Sequence, residues 1–107
     1  MADTLPLRFR VLHYVSTVDK TCVNDILQAL APEYGTEKHF KRADLMEHLF
    51  DLKANVLIDD TDVTLDDQGE LLIYYSVTAE GKQFLQRFLP KSWQQNQHVS
   101  GNSSYSA

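Results

Sequence analysis

A chain of 107 residues suits one domain of ordinary size, and its 43% hydrophobic content excludes a disordered chain. Its single cysteine, Cys22, excludes an internal disulfide and a Cys-rich zinc site, and no apolar run approaches the roughly 20 residues that span a bilayer. The net charge of −5 is uneven: residues 1–55 carry seven Lys or Arg against eight Asp or Glu, and residues 56–107 carry three against seven.

The segment from Met1 to Pro6 has neither the basic lead nor the apolar core of an export signal, so a cytoplasmic protein is expected. Leu7, Val11, Tyr14, Val15 and Val18 then recur at helical spacing and predict a first helix over about 5–18. Phe9 and Leu12 lie off that stripe, which implies a second buried face. Thr21 can cap the next helix, whose face is Val23, Ile26, Leu27 and Leu30. Pro32 and Gly35 are expected to end it, giving about 22–31.

A third helix starts either at Thr36 or near Phe40; the pattern leaves both open. Its spine is Leu45, Leu49 and Leu52, with Met46 beside it, and Asn55 offers a left-handed cap. Val56–Ile58 reads as a strand. Val63 and Leu65 alternate with polar neighbours, and Leu71, Ile73, Tyr75 and Val77 alternate again. A hairpin centred on Asp67-Gln68-Gly69 pairs the two runs antiparallel. Thr78 caps a last helix with Phe84, Leu85, Phe88 and Leu89, and Pro90 stops it. The pattern implies one domain over 1–93 and a flexible polar tail over 94–107.

Two stretches carry a resemblance. The segment Leu49-Phe50-Asp51-Leu52-Lys53-Ala54-Asn55-Val56-Leu57-Ile58 is similar to the leucine-rich end of a recognition helix, a turn and a first wing strand. Tyr75-Ser76-Val77-Thr78-Ala79-Glu80-Gly81-Lys82-Gln83-Phe84-Leu85 is similar to a strand, Leu-Thr-x-x-Gly, and helix. Together they resemble the winged helix-turn-helix domains of small bacterial regulators of the MarR and PadR types, over roughly residues 5–89. The resemblance implies an α+β fold: three helices, an antiparallel wing of two to three strands, and a C-terminal helix. It implies a transcription regulator that binds double-stranded DNA without catalysis and works as a homodimer, two half-sites needing two recognition helices. The departures are Asn55-Val56 where such regulators often have Gly, and a wing without the usual basic tip.

The residues that such a regulator would set against DNA are here Lys38, His39, Lys41 and Arg42. On a regular helix from 37, Lys38, Lys41 and Arg42 project close to the leucine stripe, and the opposite face carries Phe40, Ala43, Asp44, Glu47 and Asp51. If 36–42 is a loop, they are freer to reach phosphates. The hairpin carries Asp59, Asp60, Asp62, Asp66, Asp67 and Glu70, with no Lys or Arg between Leu57 and Lys82, so phosphates would repel it. That composition opens an alternative: a protein-interaction module using Asp44, Glu47, Asp51, Asp66 and Asp67. A charge mimic of nucleic acid is a third reading.

Asp60, Asp62 and Thr64 imitate half of a calcium loop, but Leu65 stands where glycine is required. The four histidines are far apart and show no ligand spacing, so neither metal nor other cofactor is expected. Cys22 reads as a core residue before it reads as a sensor thiol. No nucleophile elbow or phosphate-cradling loop is present, so no catalytic residue is assigned. Phe88, Leu89 and Trp93 are expected at a dimer contact involving the first and last helices.

Overall fold

The structure is a computed structural model that describes residues 5–93. In chain order it contains α1 (Leu7–Ser16), α2 (Val23–Tyr34), α3 (Arg42–Ala54), β1 (Ile58–Leu65), β2 (Leu71–Val77) and α4 (Ala79–Phe88). The tail expected over 94–107 lies outside the described residues.

The helices meet around one core. Val11, Leu12 and Val15 of α1 face Ile26 and Leu30 of α2, Leu45, Leu49 and Leu52 of α3, Ile58 and Tyr75 of the hairpin, and Leu85 of α4. Both faces of α1 are used, as the off-stripe Leu12 implied. Each of these side chains contributes roughly 1.5–3 kcal/mol by leaving water, so the leucine spine fixes α3 on the bundle. No described helix is long and apolar enough to cross a membrane.

Three expectations about element boundaries are corrected. First, α2 runs through Pro32 to Tyr34. Proline removes only one backbone bond so near a helix end, and side chains of the last turn are anchored to the N-terminal segment and α1. The Tyr34 hydroxyl donates to the Leu5 carbonyl (2.5 Å), and Glu33 accepts the Arg10 guanidinium (2.8 Å). Second, Thr21 does not cap α2. It forms a β-bridge with Tyr75, each amide donating to the other's carbonyl (3.0 and 2.8 Å), so the sheet has two strands and one bridge. Third, 56–57 is not strand. Asn55 has φ −92°, and Val56 takes the left-handed conformation with φ 63°. The amide of Val56 donates to the Lys53 carbonyl and that of Leu57 to the Leu52 carbonyl, both at 2.9 Å. This is a Schellman closure with its left-handed residue one place later than expected.

β1 and β2 pair antiparallel. The turn places Gly69 at φ 78°, its amide donating to the Asp66 carbonyl (3.0 Å), so a hydrogen-bonded turn closes on a left-handed glycine. As expected, Thr78 caps α4: its Oγ1 accepts from the Gly81 amide (2.9 Å). The same hydroxyl donates to the Val56 carbonyl (2.6 Å) and ties α4 to the turn after α3.

Candidate nucleic-acid interface

Residues 35–41 form consecutive turns between α2 and α3. Hydrogen bonds from the Glu37 amide to the Tyr34 carbonyl (2.9 Å) and from the Phe40 amide to the Glu37 carbonyl (3.3 Å) shape them. Half-buried Phe40 stacks on Tyr34, with ring centroids 6.2 Å apart, and anchors the loop to α2. The start of α3 is thereby fixed: Thr36 caps nothing, and Lys41 occupies the N-cap position in extended backbone. Lys38, His39 and Lys41 are exposed. Arg42 differs: as the first helical residue it is half-buried and donates to the Asn24 side chain, bracing the start of α3 against the start of α2.

The outer side of α3 carries Ala43, Glu47 and Phe50, all exposed. The carboxylates considered for protein contact have unequal surroundings. Asp51 is paired with Arg8 (2.9 Å). The Asp66 carboxylate accepts from the amides of Gln68 (2.8 Å) and Glu70 (2.9 Å) and so belongs to the turn. Asp44 is half-buried, whereas Glu47 and Asp67 face solvent.

At the base of the wing, lysines from elsewhere in the chain offset the carboxylates. Lys20 Nζ meets Asp62 at 2.8 Å and Lys53 Nζ meets Asp60 at 2.7 Å. Both lysines are held above their usual range and both aspartates below theirs, in each case chiefly by the side-chain hydrogen bond. All four groups are solvent-exposed, so water and salt screen the pairs strongly. The Lys20 pair joins residues 42 positions apart, and no local pattern signals it. At the tip, Asp67 and Glu70 have no ion pair among the described residues.

Of the three residues expected at a dimer contact, Phe88 stands out from the surface (55% exposed), whereas Leu89 is only 3% exposed and packs in the core. Its amide donates a hydrogen bond to the Leu85 carbonyl (2.9 Å) and completes the last turn of α4, so it serves its own chain. Trp93 packs edge-on against His13 (centroids 5.0 Å) and lies 5.1 Å from the Arg10 guanidinium. Phe84, one of the apolar residues expected on the last helix, is partly exposed and links Phe9 of α1 (5.9 Å) to Phe88 (4.8 Å) in an aromatic row. Beside it runs a groove of about 740 Å³ lined by apolar side chains, among them Phe9, Leu52 and Phe84, and by Arg8, His48 and Asn55. Among the described residues, no three His, Cys, Asp or Glu side chains are grouped to hold a metal ion.

No family model and no curated protein matches the chain. Solved structures do. A PadR-like transcriptional regulator from Bacillus cereus aligns with a TM-score of 0.62 and 19% identity, covering 92% of this chain and 91% of that one. A PadR-like transcription factor from Bacteroides fragilis aligns with a TM-score of 0.64 and 23% identity, over 90% and 87%. Bacillus subtilis PadR, solved in complex with operator DNA, aligns with a TM-score of 0.65 and 21% identity over 79% of this chain, which spans 47% of that longer one. With α3 leading through a tight turn into an antiparallel ribbon, the chain has the winged helix-turn-helix fold seen in these PadR-like proteins.

Proposed function

We propose that the chain is a transcription regulator that binds double-stranded DNA without catalysis. In this reading the loop carrying Lys38, His39 and Lys41, together with the start of α3, lies against the duplex. The observation that carries it is the likeness to PadR, whose structure was solved with its operator. The local chemistry agrees. Lys38 and Lys41 offer phosphate-neutralising charge from one exposed loop. The positive end of the α3 dipole adds to the attraction there. Arg42, tied to Asn24, sets the approach of α2 to α3. The wing tip, with Asp67 and Glu70, stays off the phosphates. Two of these structural neighbours are named as a transcriptional regulator and a transcription factor, which supports binding without chemistry. Such a regulator acts in the cytoplasm.

The same reading calls for a homodimer, because paired half-sites need paired recognition helices. The aromatic row of Phe9, Phe84 and Phe88, with the groove beside it, is the surface that a second copy would cover.

Charge reversal tests the contact. The double substitution Lys38→Glu and Lys41→Glu should weaken binding to duplex DNA by about tenfold or more. Both side chains are exposed, so the circular dichroism and unfolding midpoint should not change. A folded double variant that binds as well as the original chain would overturn the assignment.

A further inference from the structure

The hairpin carries an apolar face that the rest of the described fold leaves partly uncovered. In β2, simple alternation puts Leu71, Ile73, Tyr75 and Val77 on one side. In β1 it would not, because Ile58 and Val63 are an odd number of positions apart. One extra residue, Thr61, corrects the phase: Asp60 lies opposite Tyr75, but Asp62 lies opposite Tyr74. Beyond this bulge Val63 faces Ile73 and Leu65 faces Leu71, on the same side as Ile58 and Tyr75.

The inner half of that side is core: Ile58 and Tyr75 are buried and Ile73 packs against them. The outer half stands in solvent, with Val63 52%, Leu65 62% and Leu71 64% exposed. An exposed apolar patch of this kind with a polar rim marks an interaction surface.

Charge decides what it fits. Asp67 and Glu70 lie close in sequence to Leu65 and Leu71 at the tip and have no ion pair among the described residues, whereas Lys20 and Lys53 are engaged by Asp62 and Asp60 at the base of the wing. A duplex would meet both apolar surface and like charge. A second copy would set the same carboxylates against each other across a two-fold contact. A partner with apolar side chains flanked by Lys or Arg would satisfy both features.

We propose that the outer hairpin face, formed by Val63, Leu65 and Leu71 with Asp67 and Glu70 near them at the tip, docks a protein segment that combines apolar and basic side chains. This surface is separate from the Lys38–Lys41 loop, so the proposal does not depend on the nucleic-acid assignment.

The test uses full-length protein with labelled methyl groups. A soluble paramagnetic agent should broaden the Val63, Leu65 and Leu71 methyls at low and high protein concentration alike. Shielding at all concentrations would mean that the chain covers the face itself. Shielding only at high concentration would mean that a second copy does. Either result overturns the proposal. The second arm titrates in short peptides of alternating Leu and Lys, Leu and Glu, or Ser and Lys. The Leu/Lys peptide should shift resonances at 62–73. Its affinity should fall by about tenfold in the Leu65→Ser, Leu71→Ser double variant. Asp67→Lys with Glu70→Lys should transfer the preference to the Leu/Glu peptide. Equal binding of the Ser/Lys peptide, or the same methyl shifts with duplex DNA, would overturn the proposal. Duplex binding should be unaltered in the Leu65→Ser, Leu71→Ser variant.

Discussion

Val56 is the non-glycine residue that the described backbone holds at positive φ, 63°, and it is β-branched, the class that tolerates this least. It is also exposed, so its side chain gains little from packing in return. Left-handed backbone costs an L-residue roughly 1–2 kcal/mol, partly offset when glycine replaces it because glycine loses more freedom on folding. Val56→Gly should therefore raise stability by about 0.5–1 kcal/mol, read as a higher urea midpoint at unchanged slope. A lower midpoint would show that the turn carries no strain. His13 makes a second residue-scale case. Burial first, then the Arg10 guanidinium, hold its imidazole below the ordinary 6.5, against a smaller opposing effect of Glu33. The unfolded chain thus takes up a proton, between 6.5 and the lowered value, that the folded chain refuses. Stability is intact above 6.5 and declines as pH falls through that window. His48, half-buried beside Arg8, acts in the same direction. Substituting His13 by Leu should make Tm less dependent on pH below neutrality. An unchanged slope would assign the dependence to other groups.

At the scale of elements, the junction of α3, α4 and the wing is the tightest constraint. A Cβ on Gly81 would lie 2.1 Å from the Leu57 carbonyl oxygen and 2.7 Å from a Val77 methyl. Gly81→Ala must push α4 away from backbone that cannot yield, so a loss of about 3 kcal/mol in urea unfolding is expected. A loss below about 1 kcal/mol would place the junction wrongly. Much of this junction was readable because its signals are local: Leu49 and Leu52 at helical spacing and Thr78 three residues before Gly81. Its turn was not, because Val56 rather than Asn55 takes the left-handed conformation and closes the helix, which leaves 56–57 out of the strand. Two other misread features depend on distant contacts. Pro32 reads as a stop until Tyr34 is seen bonded to Leu5, and Thr21 reads as a cap until Tyr75 is seen pairing with it. The bulge at Thr61 is equally silent in sequence, and it alone gathers Val63 and Leu65 on the side of Ile58. In the candidate site, the cations were legible as a cluster, but their freedom was not. That freedom follows from Phe40 stacking on Tyr34, which holds 36–41 out of helix, while the link to Asn24 sets Arg42 apart.

At the scale of the whole molecule, two copies and one duplex are at issue. If the row of Phe9, Phe84 and Phe88 forms the subunit contact, sedimentation should give a dimer, and Phe84→Glu with Phe88→Glu should give a folded monomer. A dimer indifferent to both changes would place the contact elsewhere. The balance of charge is the sharper matter. A net −5 protein with an acidic wing tip can hold DNA only where cations are concentrated, and Lys38 and Lys41 are the exposed pair in the loop that leads into α3. The most direct measurement is the affinity for a mixed-sequence duplex against salt concentration. Each phosphate neutralised contributes about −0.9 to the slope of log K against log salt. Two lysines from each of two subunits should give a slope of about −3 to −4. A duplex that fails to bind at about 50 mM salt, or binds with no salt dependence, would contradict the account.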